Sequence, residues 1–156
     1  MWAGCEHGSG ISYEMSEESN PREQQSAVIE SARLMEVSLT NSQFAVDPDF
    51  RSEQEASDKF IDEVVLNTHF DADHQLLLGH VQCRVWMNRA SDKTTEERPS
   101  IEEALAQSLF SVEAEYFVVF QLSGQHTEDS IKAFFERTGS FAAWPYFRAL
   151  VSSFAA

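Results

Sequence analysis

Two places in the 156-residue sequence carry side chains whose types and spacing could do chemistry. The first is residues 68–74, THFDADH, one residue from a THxHxDH pattern in which paired imidazoles and an aspartate hold a zinc ion that activates water. Asp71 stands where the middle histidine would be, and only His80 and His126 follow as remote ligands. A metal-dependent hydrolase using His69, Asp71, Asp73 and His74 is the enzymatic reading. A solvated hairpin turn, where Asp and His are ordinary, is the simpler one, and a short motif without structural context favours it. The second place is Cys83, with His80 as a possible base. At an offset of three in a strand the two side chains point to opposite faces, so the pairing fails and a buried, inert thiol is expected. The sequence has no nucleophile elbow, phosphate-binding loop or dinucleotide-binding glycine pattern. No catalytic residue, metal or cofactor is therefore expected.

The charge balance narrows the partners. There are 26 acidic and 11 basic side chains, for a formal net charge of −15. Such a surface repels nucleic-acid phosphates and anionic lipid headgroups and attracts basic partners, although acidity is also an ordinary device for solubility. Two distant cysteines, Cys5 and Cys83, make neither a disulfide framework nor a metal knuckle, which fits a reducing cytoplasm. The N-terminus lacks the basic region and apolar stretch of a signal peptide. The longest purely apolar run, residues 116–120, is too short to cross a bilayer, so no membrane insertion is expected.

The elements that would position these residues follow from periodicity. Residues 1–27 are rich in Ser, Glu, Gly and Gln, and read as a disordered or loosely attached arm before a single domain at 28–156. A first strand is predicted at 33–44, with Met35, Val37 and Leu39 alternating with polar residues; 27–35 alternatively reads as a short helix leading into it. A long polar crossover, 45–58, contains Pro48 and cannot be a central strand. A second strand, 59–70, places Phe60, Val64, Leu66 and Phe70 on one face and Ile61 and Val65 on the other. After a turn at 71–74, a third strand, 75–88, completes an antiparallel hairpin. A charged linker, 89–104, has cap signals around Pro99 and Ser100. The fourth strand, 109–122, has an apolar residue at every even position. A helix then starts at the cap Thr127 and is expected to stop at Gly139. A second helix spans 140–154, with Pro145 in its first turn. The fold class is α+β: a four-stranded antiparallel sheet with a long crossover between strands one and two, followed by C-terminal helices. One such sheet leaves apolar surface uncovered, so a homo-oligomer, a dimer or dimer of dimers, is expected.

Residues 138–153, TGSFAAWPYFRALVSS, resemble the SecB protein-export chaperones and their toxin–antitoxin-linked relatives. Those proteins carry a Gly, an aromatic, then an aromatic-Pro-aromatic-x-Arg run opening the long helix. The matching positions here are Gly139, Phe141, Trp144, Pro145, Tyr146 and Arg148, read as structural or interface residues. The order of strands, crossover and helices agrees over about residues 32–154. The resemblance implies an ATP-independent chaperone that binds unfolded polypeptides without nucleotide, either preproteins awaiting export or a dedicated antitoxin. It also implies a cytoplasmic location and a tetramer. SecB relatives continue past the helix into a Pro-rich segment and a tail that contacts the translocation motor SecA, whereas this sequence ends at Phe154-Ala155-Ala156.

A chaperone of that kind needs exposed aromatic side chains, which bind extended apolar segments with little sequence preference and add weak contacts by avidity. The candidates for client binding are Phe44, Phe50 and Trp86. Phe50 stands out as apolar inside the acidic crossover, between Asp49 and Arg51. Phe60 and Phe117 read as ordinary packing residues.

Overall fold

The computed structural model describes residues 20–50, 57–90 and 99–154. In chain order the elements are α1 (Pro21–Ser31), β1 (Arg33–Val46), β2 (Ser57–Asp71), β3 (Leu76–Arg89), α2 (Ile101–Ala106), β4 (Phe110–Gln121) and α3 (Glu128–Phe154). The four strands form one sheet in the order β1-β4-β3-β2, antiparallel throughout.

The alternation that makes β3 and β4 strands also makes the core. Leu77, Val81, Cys83 and Val85 point to one face of the sheet, beside Val112, Ala114, Tyr116, Val118 and Phe120 from β4. α3 lies on that face and contributes Ile131, Phe134, Phe135 and Phe147. Burying an aromatic such as Phe135 or Phe147 stabilises the fold by roughly 1.5–3 kcal/mol through transfer from water.

Bulges decide which residues of the outer strands face the helix. In β2 the register shifts between Val65 and Asn67, leaving Leu66 unpaired. Before the bulge Ile61 and Val65 pair with the core residues Val85 and Val81; after it Phe70 pairs with Leu77. Phe70 therefore shares the helix face with Ile61 and Val65, not the face of Phe60 and Val64 that strict alternation predicts. One extra residue in a strand inverts everything beyond it. β1 carries shifts at Met35 and Thr40, so its helix-face row is Leu34, Val37, Leu39, Phe44 and Val46, by their pairings with Phe120, Val118, Tyr116, Val112 and Phe110.

The C-terminal segment is one helix of 27 residues, where two were expected. Thr127 caps it as predicted, its Oγ1 accepting from the Ser130 N–H at 3.3 Å. Gly139 does not end it. A Cβ at Gly139 would lie 2.8 Å from Phe135 Cε1, and one at Gly79 in β3 only 2.4 Å from Phe135 Cζ. The two glycines let the helix approach the sheet closely around one ring. Pro145 lies inside the helix rather than in a first turn. Its missing N–H leaves the carbonyl of residue 141 without a helical donor, at an exposed stretch where water can serve instead.

Ahead of the sheet, α1 takes in residues 21–27, which composition assigned to the arm. Asn20 caps it by accepting from the Arg22 N–H at 3.1 Å, and Pro21 occupies the first turn. Val28 is fully buried. The helix is held to the α3 end of the molecule by His126, whose Nε2 donates to the Ser123 carbonyl at 2.8 Å and lies 2.9 Å from Ser31 Oγ. The rest of the proposed arm, residues 1–19, lies outside the described residues.

Candidate functional site

The two chemical motifs resolve into structure. Asp71 sits at the end of β2, where its carboxylate accepts from the backbone N–H groups of Asp73 and His74, at 3.0 and 3.3 Å, and from His74 Nδ1 at 2.8 Å. The His74 hydrogen bonds hold the Asp71 carboxyl below its usual range. This is the hydrogen-bonding pattern of a tight turn closed by an aspartate. Among the described residues no three His, Cys, Asp or Glu side chains gather as a metal-binding group. Cys83 is buried on the helix face, and burial, helped by the nearby charges of Glu63 and Asp62, pushes its thiol up to about 12. His80 points to the other face, against Phe117 and Asn67.

What the molecule presents instead is apolar surface along both outer strands. Leu34, Leu39, Phe44 and Val46 of β1 remain exposed although they share the helix face. Phe44 is 43% exposed, stacks on Phe154 at 4.6 Å and meets the edge of Phe110 at 5.6 Å. At the opposite edge of the sheet, on the same helix face, Ile61 is open, and a groove of about 210 Å³ runs between it and α3, lined by Val85, Trp144, Phe147, Val151 and Arg148. Phe60 and Val64 are exposed on the other face of β2. Aspartates and glutamates lie among them: Asp58, Asp62 and Glu63 are all on β2. Asp62 is paired with Arg84, whose Nη2 donates at 2.5 Å.

The three aromatics singled out from the sequence lie at one end of the sheet, but not in one groove. Phe44 faces α3. Trp86 pairs with Phe60 and Ser111 on the opposite face, stacks on Phe60 at 5.6 Å, and is 6% exposed. Phe50 is half-buried just past β1, with its N–H donating to the Asp47 carbonyl at 2.9 Å. Of the residues on α3, Phe141 is 78% exposed and Tyr146, Pro145 and Arg148 are also open, whereas Trp144 is half-buried against Phe147. The uncovered apolar row of β1 and the groove beside Ile61 were missed as a surface; the alternation announcing them reads equally well as core when the sheet order is unknown.

No family model matches the chain, and no curated protein matches it. Solved structures do. A four-stranded antiparallel sheet in this order, backed by a long C-terminal helix, is the SecB-like fold, and the chain has it. It is similar to a SecB-like chaperone of Mycobacterium tuberculosis in complex with a ChAD peptide from the HigA1 antitoxin. The two are 18% identical, with a TM-score of 0.61, over 83% of this chain and 84% of that one.

Proposed function

We propose that this protein is an ATP-independent chaperone that holds extended segments of non-native polypeptide on its exposed apolar edges. The observation that carries the reading is the pair of open apolar edges, β1 with Leu34, Leu39, Phe44 and Val46 and β2 with Phe60, Ile61 and Val64, on a SecB-like fold. Patches of this kind on a folded domain mark binding surfaces. The net charge of −15 favours basic clients and draws them in at low salt. Preproteins kept export-competent in the cytoplasm, with delivery to SecA, are the client class that the SecB resemblance favours. A dedicated antitoxin is the second reading, favoured because the similar structure holds an antitoxin peptide.

The test is suppression of aggregation of unrelated unfolded proteins, beside a titration with a fluorescent unfolded peptide. Broad suppression without ATP, weaker for basic clients as salt rises, supports a general holdase. Protection confined to one antitoxin supports the second reading, and no protection of anything overturns both. Phe44→Ala and Phe50→Ala are expected to weaken capture with small changes in the denaturant midpoint, since neither ring is buried.

A further inference from the structure

In the sheet order β1-β4-β3-β2, the one strand partner of β2 among the described residues is β3, so β2 is an edge strand. In an antiparallel ladder alternate residues turn their backbone N–H and C=O groups to the same neighbour, and those of β2 not bonded to β3 face outward. An open row of this kind is a template for a further strand. Its regular stretch is residues 57–65, because the bulge at Leu66 breaks the register beyond it. By their pairings with β3, Lys59, Ile61 and Glu63 share the helix face, and Asp58, Phe60, Asp62 and Val64 the other. Phe60, Ile61 and Val64 are exposed. Asp58 and Glu63 are also exposed and carry no ion pair among the described residues, whereas Asp62 is neutralised by Arg84. β2 thus presents apolar side chains between two free carboxylates. The other edge, β1, has no such pattern, since Glu36 is its only acid.

We propose that β2 captures a basic and apolar polypeptide segment by strand addition, the segment continuing the antiparallel sheet as a fifth strand along residues 57–65. This rests on the holdase reading above and names the partner chemistry and the geometry at that edge. Residues directly opposite one another in an antiparallel pair lie close enough for their side chains to interact. Read from the position opposite Val64 to the position opposite Asp58, the partner runs apolar, basic, polar, apolar, apolar, polar, basic. Its two basic residues meet Glu63 and Asp58, and its first polar residue meets Asp62, whose charge Arg84 already balances. The residue opposite Ile61 stands on the helix face, where the groove lined by Ile61, Trp144 and Val151 lies. The residue opposite Phe60 stands on the other face, beside the stack of Phe60 on Trp86. Main-chain bonds accept any sequence, as a holdase requires, while the charges and apolar positions set a preference. The same acids set against a second β2 repel it, so the edge favours basic segments over copies of this chain.

The test titrates the full chain with a fluorescent peptide containing Val-Lys-Thr-Val-Phe-Ser-Lys. Two further versions are N-methylated at alternate residues, one at the odd and one at the even positions. An added strand turns only one of these sets of N–H groups toward β2, so one version should lose about ten-fold or more in affinity and the other little. Glu63→Lys should weaken capture of the parent peptide about two- to five-fold, and replacing the first peptide lysine by glutamate should restore it in that variant alone. The site is exposed, so the denaturant midpoint of Glu63→Lys should stay close to that of the parent. Equal loss in both N-methylated versions, or no rescue by the exchanged charge, overturns strand addition while capture itself leaves the holdase reading in place. Light scattering of the peptide-saturated chain should show an unchanged mass; a fall in mass would give this edge to a second copy and also overturns the proposal. A parent chain that captures neither this peptide nor any unfolded protein overturns both readings.

Discussion

Phe135 is the residue around which the helix and the sheet are fitted, and the fit is set by what is absent on either side of it. Gly79 and Gly139 each leave a gap that a methyl group would fill with a clash, but the clashes differ in kind. At Gly79 the added carbon meets both the ring and the backbone carbonyl of Asn67 in the neighbouring strand, at 2.7 Å, and a backbone atom in a paired strand cannot move aside. At Gly139 it meets only the ring edge, and the helix gains about 1 kcal/mol of propensity from alanine. Gly79→Ala is therefore expected to destabilise the protein by about 2–4 kcal/mol and Gly139→Ala by about 1 kcal/mol or less, read from denaturant midpoints at constant m-value. Equal effects would mean that the strand carbonyl yields after all. The sequence marks both glycines but not their purpose: a glycine within a helical pattern reads as its end, because the partner ring that requires it lies in the same helix and against a strand sixty residues earlier.

At the scale of elements, α3 carries a proline seventeen residues after its start and remains continuous. A proline inside a helix is about 3 kcal/mol less favourable than alanine. Pro145 is exposed, so no side-chain packing of its own offsets that. Pro145→Ala is expected to raise stability by about 1–3 kcal/mol in a denaturant melt; a loss of stability would mean that the ring sets a bend on which the packing of Trp144 and Phe147 depends. The strands were legible within a few residues, since a period of two in β3 and β4 has no other explanation. The helices were less so. Composition dismissed residues 21–27 because only Val28 of that helix is buried, while the local cap signal, Asn20 followed by Pro21, was present in the sequence. The bulge at Leu66 leaves no trace in composition, as an inserted valine-like residue in an apolar strand looks like any other. The candidate surface was half visible: the aromatics could be named, but only the strand order decides that Phe44 and Trp86 occupy opposite faces.

The whole molecule is acidic, yet its outer strands are not alike. β2 bears Asp58, Asp62, Glu63 and Asp71 against one lysine, whereas β1 has a single arginine and a single glutamate among its fourteen residues. Like charges facing one another disfavour self-pairing of β2, and the neutral, apolar β1 offers no such obstacle. Together with the exposed Phe141 on α3, this makes a homo-oligomer the expected state in solution. Light scattering at micromolar concentration should give a multiple of the 17.7 kDa chain mass, and Leu39→Glu on β1 should shift it towards the monomer. A monomeric parent chain would show that the open edges serve clients alone.

The order of strands also has a consequence in time. β2 and β3 are neighbours in sequence and pair through a short turn, so they can zip together as soon as both have left the ribosome. β1 is made first and paired last: Arg33 has no partner until Gln121 has been synthesised, and Val46 waits for Phe110. Throughout that interval β4 is missing from the middle of the sheet, and a nascent chain displays the unpaired apolar strand of β1 beside a half-built hairpin. Closing so distant a pairing is slow relative to local structure. A protein whose proposed task is to shelter unfinished chains thus passes through the same unfinished condition itself, and its own early product is of the kind that its mature copies would hold.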